Sequence, residues 1–182
     1  NSIGWYVTNA GNSTHPGGLK TANAWGLYDI SGNVLEWVWD RNGTYPGMVS
    51  DPTGPSNGTA RINRGGCFVS SANNARTARR DSYAPNFRYY GHGFRLVRTL
   101  NPPTSGFTKI NAGTFSMGSS ALENGRSEDE TLHQVTLSYS FEMASRETTQ
   151  EQWTAFNRNP SWFGPNGQGT NCGANCPVER VN

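Results

Sequence analysis

Residues 23–37, NAWGLYDISGNVLEW, constrain the fold of this chain more than any other stretch. Aromatic and aliphatic residues alternate there with residues that form turns or bind cations. The apolar side chains of Trp25, Leu27 and Tyr28 predict that this stretch contributes to the core. Gly32 lies in the run Ser-Gly-Asn and permits a sharp turn, because glycine adopts backbone conformations that other residues avoid.

Two carboxylates flank that turn. Asp29 and Glu36 are seven positions apart, with Gly32 between them. The turn would bring both carboxylates and the intervening backbone carbonyls around one point. Oxygen ligands of this kind suit a hard cation such as Ca²⁺. On spacing alone, a tight turn with two solvated acids is the alternative, and it stays open at this point.

The stretch resembles the N-x-W-G-L-Y-D-x-x-G-N-V-x-E-W signature of the formylglycine-generating-enzyme (sulfatase-modifying factor) family. Residues 64–66 and 93–98 look like the C-terminal end of that family. Segments that look like its N-terminal part are 107–118, 135–143, 147–150 and 176–179. The resemblance implies an irregular, loop-rich α+β fold related to C-type lectins.

The resemblance also implies a Ca²⁺ site. Its ligands would be the side chains of Asp29 and Glu36 and the backbone carbonyls of Gly32 and Val34. This raises the cation site above the alternative of two solvated acids.

The blocks stand in an inverted order for this family. Residues 1–100 resemble its C-terminal half, and residues 107–182 resemble its N-terminal half. Residues 101–106 separate them and have the proline, glycine and small polar residues of a linker. The family's middle segment, which usually reads R-L-P-T-E-A-E-W, has no counterpart. A shortened circular permutant, a window across two tandem domains and parts of a longer chain all explain this order.

Composition favours a loop-rich fold pinned by aromatic side chains. Hydrophobic residues make up 34% of the 182 residues, and the chain has 22 glycines and 6 tryptophans. Charged residues at 15% and aromatic residues at 12% argue against disorder. A net charge of +2 is too small to indicate nucleic acid as a partner, and no apolar run is long enough to predict membrane insertion.

The cysteines predict one small disulfide. Cys172 and Cys176 bracket a short glycine-containing loop, and free thiols in a reducing compartment are the alternative. Cys67 is then left over and is predicted to be a small buried residue. The disulfide, the sparse charge and the candidate Ca²⁺ turn together favour an exported, extracellular or cell-surface protein.

Residues 67–92 predict a recognition surface. Tyrosine, asparagine, serine and arginine dominate the segment, as they do in binding loops. An ordinary irregular connection with internally paired arginines is the alternative. In some relatives of the family, the resemblance implies, the equivalent segment is the variable, ligand-facing region. The candidate ligand-binding residues are Ser70, Asn73, Asn74, Arg76, Tyr83, Asn86, Tyr89 and Tyr90.

Regular elements are predicted in the second half. Apolar and polar residues alternate from Val135 to Met143, which indicates one half-buried strand. Residues 148–151, TTQE, predict a capping box and a short helix that buries Trp153 and Phe156. The pair at 159–160, Asn-Pro, would end that helix.

The family's oxidation of a substrate cysteine to formylglycine depends, as the resemblance implies, on a copper-binding cysteine pair. The matching positions fall at about Ser70 and Ala75, and neither side chain supplies a thiolate for Cu(I). We therefore expect a non-catalytic exported module that binds an unidentified protein or glycan. The alternative is a formylglycine-generating-type oxidoreductase, or a related sulfur-chemistry enzyme, whose catalytic residues lie in the absent middle segment.

The inverted order also suggests self-association. If the linker keeps the two halves apart, each exposes apolar strand surface that can pair with another copy of the chain. Such a head-to-tail contact does not close on itself, and it would build a filament. A linker that lets the halves fold back on each other would instead give a closed monomer.

Overall fold

The computed structural model describes residues 2–100, 105–156 and 172–181. Short strands joined by long irregular segments make up most of this part, and helix is sparse. The strands are β1 (Gly4–Trp5), β2 (Ser31–Gly32), β3 (Leu35–Arg41), β4 (Val49–Ser50), β5 (Arg61–Arg64), β6 (Arg80–Tyr83), β7 (His92–Gly93), β8 (Val97–Thr99), β9 (Phe107–Ile110), β10 (Gly113–Met117), β11 (His133–Leu137) and β12 (Phe141–Ala144). A 3₁₀ turn covers Ala72–Ala75, and the helix α1 covers Gln150–Thr154.

The longest strand, β3, lies inside the largest sheet. That sheet has the order β6-β5-β3-β7, in which β3 runs antiparallel to β5 and parallel to β7. The pairing of β3 with β5 changes register between Trp37 and Arg41, which indicates a bulge. Leu35 of β3 packs in the buried cluster with Ala10, Cys67 and Phe68. The prediction that Cys67 is buried is therefore confirmed.

The core predictions for the stretch 23–37 are confirmed in part. Leu27 is buried and Tyr28 is half-buried. Trp25 is 63% exposed, so the prediction that it belongs to the core is wrong. The turn around it explains the difference: the side chain of Asn23 accepts hydrogen bonds from the backbone N–H groups of Trp25 and Leu27, and it is Leu27 that the turn buries.

Strands from the two segments on either side of 101–106 share sheets. β12 pairs antiparallel with β8 on one side and with β9 on the other. β11 lies between β10 and β4, and it runs parallel to β4. The segments 2–100 and 105–156 therefore contribute to common sheets, whereas the limits of the predicted halves and linker stay a prediction.

Two sequence predictions for the second half are wrong in detail. The predicted strand 135–143 is two strands, β11 and β12, because Ser138 leaves the ladder: its backbone N–H and its hydroxyl both donate to the carboxylate of Asp51. The capping box exists, but Thr149 rather than Thr148 is the N-cap, and Gln152 closes it. The backbone N–H of Thr148 instead donates a hydrogen bond to the carbonyl of Phe94.

The predicted burial by α1 is also corrected. Phe156 follows the helix and is 71% exposed, whereas Trp153 is half-buried and packs edge-on against Phe94. The predicted stop at 159–160 lies outside the described residues. Within the described ranges, no helix is both long and apolar enough to cross a membrane.

Candidate functional site

The turn predicted to bind a cation is built around Asn33, which is fully buried. Asp29, Gly32 and Asn33 all have positive φ angles, of 55°, 90° and 61°. The side chain of Asn33 accepts a hydrogen bond from the backbone N–H of His15 and donates one to the His15 carbonyl. It also donates to Oε2 of Glu147 over 2.6 Å. These contacts hold the residues between Asp29 and Glu36 in a strained backbone conformation.

Asp29 is buried with one oxygen paired and one unpaired. Its Oδ2 accepts a hydrogen bond of 2.8 Å from the backbone N–H of Gly18. Its Oδ1 is buried and has no hydrogen-bond partner among the described residues. Burial raises the pKa of this carboxyl, and the Gly18 hydrogen bond works against that rise.

Glu36 faces a buried arginine. Nη2 of Arg95 donates to Oε1 of Glu36 over 2.6 Å, and Nε lies 3.1 Å from both carboxylate oxygens. The same guanidinium donates to the carbonyls of Tyr28 and Ala144. Arg95 therefore ties the Glu36 carboxylate to the turn and to β12.

Glu147 completes the group, and the sequence analysis missed it as a site residue. It is buried, and its Oε1 accepts a hydrogen bond of 3.2 Å from the backbone N–H of Val34. Burial raises the pKa of the Glu147 carboxyl well above its ordinary value, and the negative charges of Glu36 and Asp29 raise it further. Glu147 directly precedes the capping segment of α1, and no periodicity in the sequence points to its burial beside a turn more than a hundred positions away.

The predicted Ca²⁺ ligands are oxygen atoms, the ligand type that a hard cation prefers, although Arg95 donates hydrogen bonds to both carboxylate oxygens of Glu36. Three carboxylates, from Asp29, Glu36 and Glu147, influence one another here, and the unpaired Oδ1 of Asp29 is an oxygen that a hard cation accepts. The guanidinium of Arg95 already neutralises part of this charge through Glu36. No group of three or more His, Cys, Asp or Glu side chains in the described ranges could by itself hold a metal ion. A site here would therefore need the carbonyls of Gly32 and Val34 as well.

The candidate recognition residues of 67–92 divide into exposed and engaged groups. Asn73, Asn74 and Asn86 are exposed. Arg76 is engaged: its guanidinium makes two hydrogen bonds of 2.9 Å to the fully buried carboxylate of Glu130 and one of 2.8 Å to Glu123. For Arg76 the internal pairing that the sequence left as an alternative is therefore what the structure describes.

The tyrosines of this segment surround a buried histidine. The rings of Tyr83, Phe87 and Tyr89 all meet His92 edge-on, at centroid distances of 4.7 to 5.6 Å. Burial lowers the pKa of His92 to about 4, so the imidazole is neutral at physiological pH. Tyr89 and Tyr90 also pack against the buried cluster below. These half-buried tyrosines present only part of their surface to a ligand.

The two positions that the resemblance matches to copper-binding cysteines have different surroundings. Ala75 lines a cavity of about 410 Å³ together with Arg76, Tyr6 and Ser31. The hydroxyl of Ser70 accepts a hydrogen bond of 2.9 Å from the backbone N–H of Cys67. The thiol of Cys67 is buried beneath this segment. Ser70 offers a hydroxyl group at one of these positions, and Ala75 offers a methyl group at the other.

The predicted disulfide between Cys172 and Cys176 is present. It lies next to the isolated bridge between Thr149 and Pro177, where the chain meets the start of α1. The carbonyl of Cys176 accepts a hydrogen bond from the backbone N–H of Gln150. The disulfide loop therefore packs on the helix rather than on the Asp29–Glu36 turn.

Comparison with known proteins yields relatives over part of the chain. A chaperone protein LppX from Paenibacillus barcinonensis is 35% identical over 53% of this chain and 38% of its own length. A formylglycine-generating enzyme from Thermomonospora curvata is 38% identical over 46% of this chain and 31% of its own. A serine/threonine-protein kinase pkn1 from Chlamydia pneumoniae is 37% identical over 43% of this chain and 14% of its own.

A solved structure, Treponema denticola variable protein 1, is 38% identical and covers 51% of this chain and 34% of its own, with a TM-score of 0.49. The chain thus spans well under half of the length of each of these relatives. Residues 3–100 match the sequence profile of the sulfatase-modifying factor enzyme 1-like domain, which is more than half of the chain. This protein therefore belongs to the sulfatase-modifying factor (formylglycine-generating-enzyme-like) domain family.

Proposed function

We propose that this chain is a non-catalytic member of its family that serves as an exported binding or structural module. The observation that carries the proposal is the chemistry of Ser70 and Ala75. The resemblance assigns these positions to a pair of copper ligands, and Cu(I) selects soft thiolates. A hydroxyl held by a backbone N–H and a methyl group cannot replace them. Cys67 is a single thiol, and it is buried.

The direct test is an activity assay. The purified chain is incubated with copper, oxygen and a cysteine-containing peptide, and the peptide is examined by mass spectrometry. We expect the cysteine to remain unmodified. Formylglycine in the peptide would overturn the proposal, and a repeat with Cys67→Ser would show whether the remaining thiol is responsible.

The proposal includes a structural Ca²⁺ at the Asp29–Glu36 turn. Support comes from the unpaired Oδ1 of Asp29 and from the three carboxyl groups of Asp29, Glu36 and Glu147, of which Glu36 alone pairs with Arg95. The bound ion would stabilise the strained conformation of the turn. Glu147 already contacts that turn, because it accepts hydrogen bonds from the side chain of Asn33 and the backbone N–H of Val34. No chemical step is assigned to the ion.

Ligand binding is proposed for the exposed part of the segment 67–92. Asn73, Asn74 and Asn86 offer amide donors and acceptors to solvent, and Ser70, Tyr83, Tyr89 and Tyr90 lie half-buried in the same segment. Amide and phenol groups of this kind suit a protein or glycan partner. An extracellular or cell-surface location accords with the disulfide, since disulfides persist in oxidising compartments.

Self-assembly is the last part of the proposal. One chain can satisfy the pairing of β12 with β8 and of β11 with β4 by itself, as this structure does. A neighbouring copy offers identical strands, so the same pairings can form between chains. We propose that the chain assembles by forming these strand pairings between neighbouring copies instead of within one copy. Head-to-tail repetition of that contact builds a filament.

A further inference from the structure

A second cavity lies under the long loop that follows β3, and it is lined by Arg80 from the segment 67–92 but by no residue of the Asp29–Glu36 turn. Its volume is about 490 Å³, within the range of small-molecule sites. The loop residues 43–46 and 49–55 form its mouth and one wall. Met117 of β10 and His133 of β11 form the opposite wall, so both segments of the chain are needed to complete it.

Asp40 is a polar group in this lining without a hydrogen-bond partner among the described residues, and the buried Nε2 of His133 is another. Its carboxylate makes no hydrogen bond or ion pair within the part of the chain that the structure describes, although the residue is half-buried. The loop crosses close above it: a Cβ added at Gly54 would lie 2.9 Å from the Asp40 Cβ. A half-buried carboxylate without a partner favours a ligand that donates a hydrogen bond.

The arginines around Asp40 are already occupied. Arg80 donates to the carbonyls of Gly43 and Asp129 over 2.9 and 3.0 Å, and its guanidinium stacks on the ring of Tyr45. Arg64 donates to the carbonyl of Ala78 and to the hydroxyl of Tyr45. These acceptors are neutral oxygens, but Arg80 also pairs with the carboxylate of Asp129 over 3.7 Å, and the charges of both arginines act on Asp40.

This charge pattern selects against charged ligands. The positive charges of Arg64 and Arg80 act on Asp40 and would repel a cation that approached it. An anion would meet the Asp40 carboxylate and the carboxylate of Asp51, which also lines the cavity. A neutral ligand that carries hydrogen-bond donors avoids both penalties.

The remaining walls alternate hydroxyl and apolar groups. The hydroxyl side chains can both donate and accept hydrogen bonds. The apolar side chains offer flat C–H surfaces between them. The hydroxyl groups belong to Thr44, Ser50 and Thr53, and the apolar groups to Pro46, Val49, Pro55 and Met117.

We propose that this cavity binds an uncharged, hydroxyl-bearing ligand of mono- or disaccharide size, with a ligand hydroxyl donating to the carboxylate of Asp40. The ring carbons of a saccharide match the apolar wall, and its hydroxyls match the threonine and serine side chains. Because Met117 and His133 come from the second segment, a bound ligand bridges both segments of the chain.

The test uses the full chain and a panel of neutral disaccharides, namely maltose, cellobiose, lactose and diacetylchitobiose. Binding is measured by isothermal titration calorimetry and by saturation-transfer NMR up to tens of millimolar. We expect at least one disaccharide to bind. Asp40→Asn should weaken that binding by about tenfold, because a hydrogen bond to a charged group is lost.

Two further variants make the result specific. Met117→Trp should abolish binding by filling the cavity from the second segment, and circular dichroism and thermal melting confirm that it folds. Leu122→Ala, on an exposed turn outside the cavity, should leave the affinity unchanged.

Three results would overturn the proposal. The first is that no disaccharide binds. The second is that gluconate or glucosamine, the charged probes, binds more tightly than every neutral sugar. The third is binding that neither Asp40→Asn nor Met117→Trp changes.

Discussion

At the scale of single residues, the account rests on how Glu147 is held. Its two carboxylate oxygens accept from the side chain of Asn33 and the backbone of Val34, in a fully buried position. Burial, and then the negative charges of Glu36 and Asp29, raise the pKa of Glu147 and favour the protonated acid. They outweigh the charge of Arg95 and the Val34 hydrogen bond, which lower that pKa. A carboxyl whose pKa is raised by folding binds its proton more strongly in the native state than in the unfolded state.

The first prediction concerns pH. The folded state holds more protons than the unfolded state once the pH exceeds the ordinary glutamate pKa of about 4.3. The contribution of Glu147 to the free energy of unfolding therefore falls as pH rises from that value towards the raised pKa of Glu147 in the folded state. The fall is at most about 1.4 kcal/mol per pH unit. In urea titrations, we expect the free energy of unfolding of the parent to fall relative to that of Glu147→Gln as the pH is raised from acidic to neutral.

The control is Glu151→Gln, which removes an exposed carboxylate from α1. If the free energy of unfolding of the parent relative to Glu147→Gln stays constant or grows as pH rises, folding does not raise the pKa of Glu147.

The second prediction concerns calcium. If the Asp29–Glu36 turn binds Ca²⁺, the ion stabilises the native state, by about 2.7 kcal/mol at a hundredfold excess over its Kd. We expect the melting temperature to rise from EDTA to millimolar Ca²⁺. The rise should vanish in Asp29→Asn and persist in Asp51→Asn, since Asp51 lies on a different loop and binds Ser138. A parent that melts at the same temperature in both buffers would refute the calcium site.

At the scale of elements, the glycine pair after β5 fixes how close two segments approach. Gly65 accepts a hydrogen bond of 2.7 Å from the backbone N–H of Gly32, through its carbonyl. Gly66 has a φ of 69°, and a Cβ there would lie 2.7 Å from the carbonyl oxygen of Asn74. The backbones therefore approach closely at this pair.

The third prediction follows from that approach. Gly66→Ala should lower the free energy of unfolding by about 3 kcal/mol or more, because a left-handed conformation costs 1–2 kcal/mol and the clash with backbone adds to it. Gly11→Ala is the matched control: its φ is 60°, and nothing lies within 4 Å of the added Cβ. It should cost only the conformational part. Equal losses for the two variants in denaturant titrations would contradict the close approach.

Elements with a local pattern were predictable from the sequence. The capping box and the small disulfide depend on neighbouring residues and are found within one position of their prediction. The break between β11 and β12 was not predictable, because Asp51, which binds Ser138, is distant in sequence. Long-range partners likewise explain why the burial of Glu130 and Glu147 was missed and why the pairing of Arg76 stayed an alternative.

At the scale of the whole molecule, the two segments are joined by buried polar contacts as well as by strands. The carboxylate of Glu130, from the second segment, is fully buried against Arg76 of the first. Arg95 likewise links Glu36 to the carbonyl of Ala144. Buried pairs of this kind are costly to break, so separation of the segments within one chain requires the same pairs to re-form elsewhere.

The fourth prediction tests whether β8 pairs with β12 of the same chain or with β12 of another copy. Arg98 and Glu142 are direct partners across these antiparallel strands, at a Cα spacing that suits a disulfide. In the double variant Arg98→Cys/Glu142→Cys, dilute protein should give a crosslinked monomer on a non-reducing gel. Concentrated protein should give a ladder of crosslinked oligomers if chains exchange this pairing.

The control is Arg98→Cys alone, which should give at most a dimer. Monomer at every concentration, with no polymers of uniform width in electron micrographs, would contradict the proposed exchange into filaments.

The most direct test of the central claim, that this family member lacks the copper chemistry, is its affinity for Cu(I). The parent and the double variant Ser70→Cys/Ala75→Cys are titrated against a chromophoric Cu(I) chelator under anaerobic conditions. The account predicts that the parent does not compete with the chelator, and that the double variant gains a tight two-thiolate site. Tight Cu(I) binding by the parent, lost in Cys67→Ser, would contradict the account.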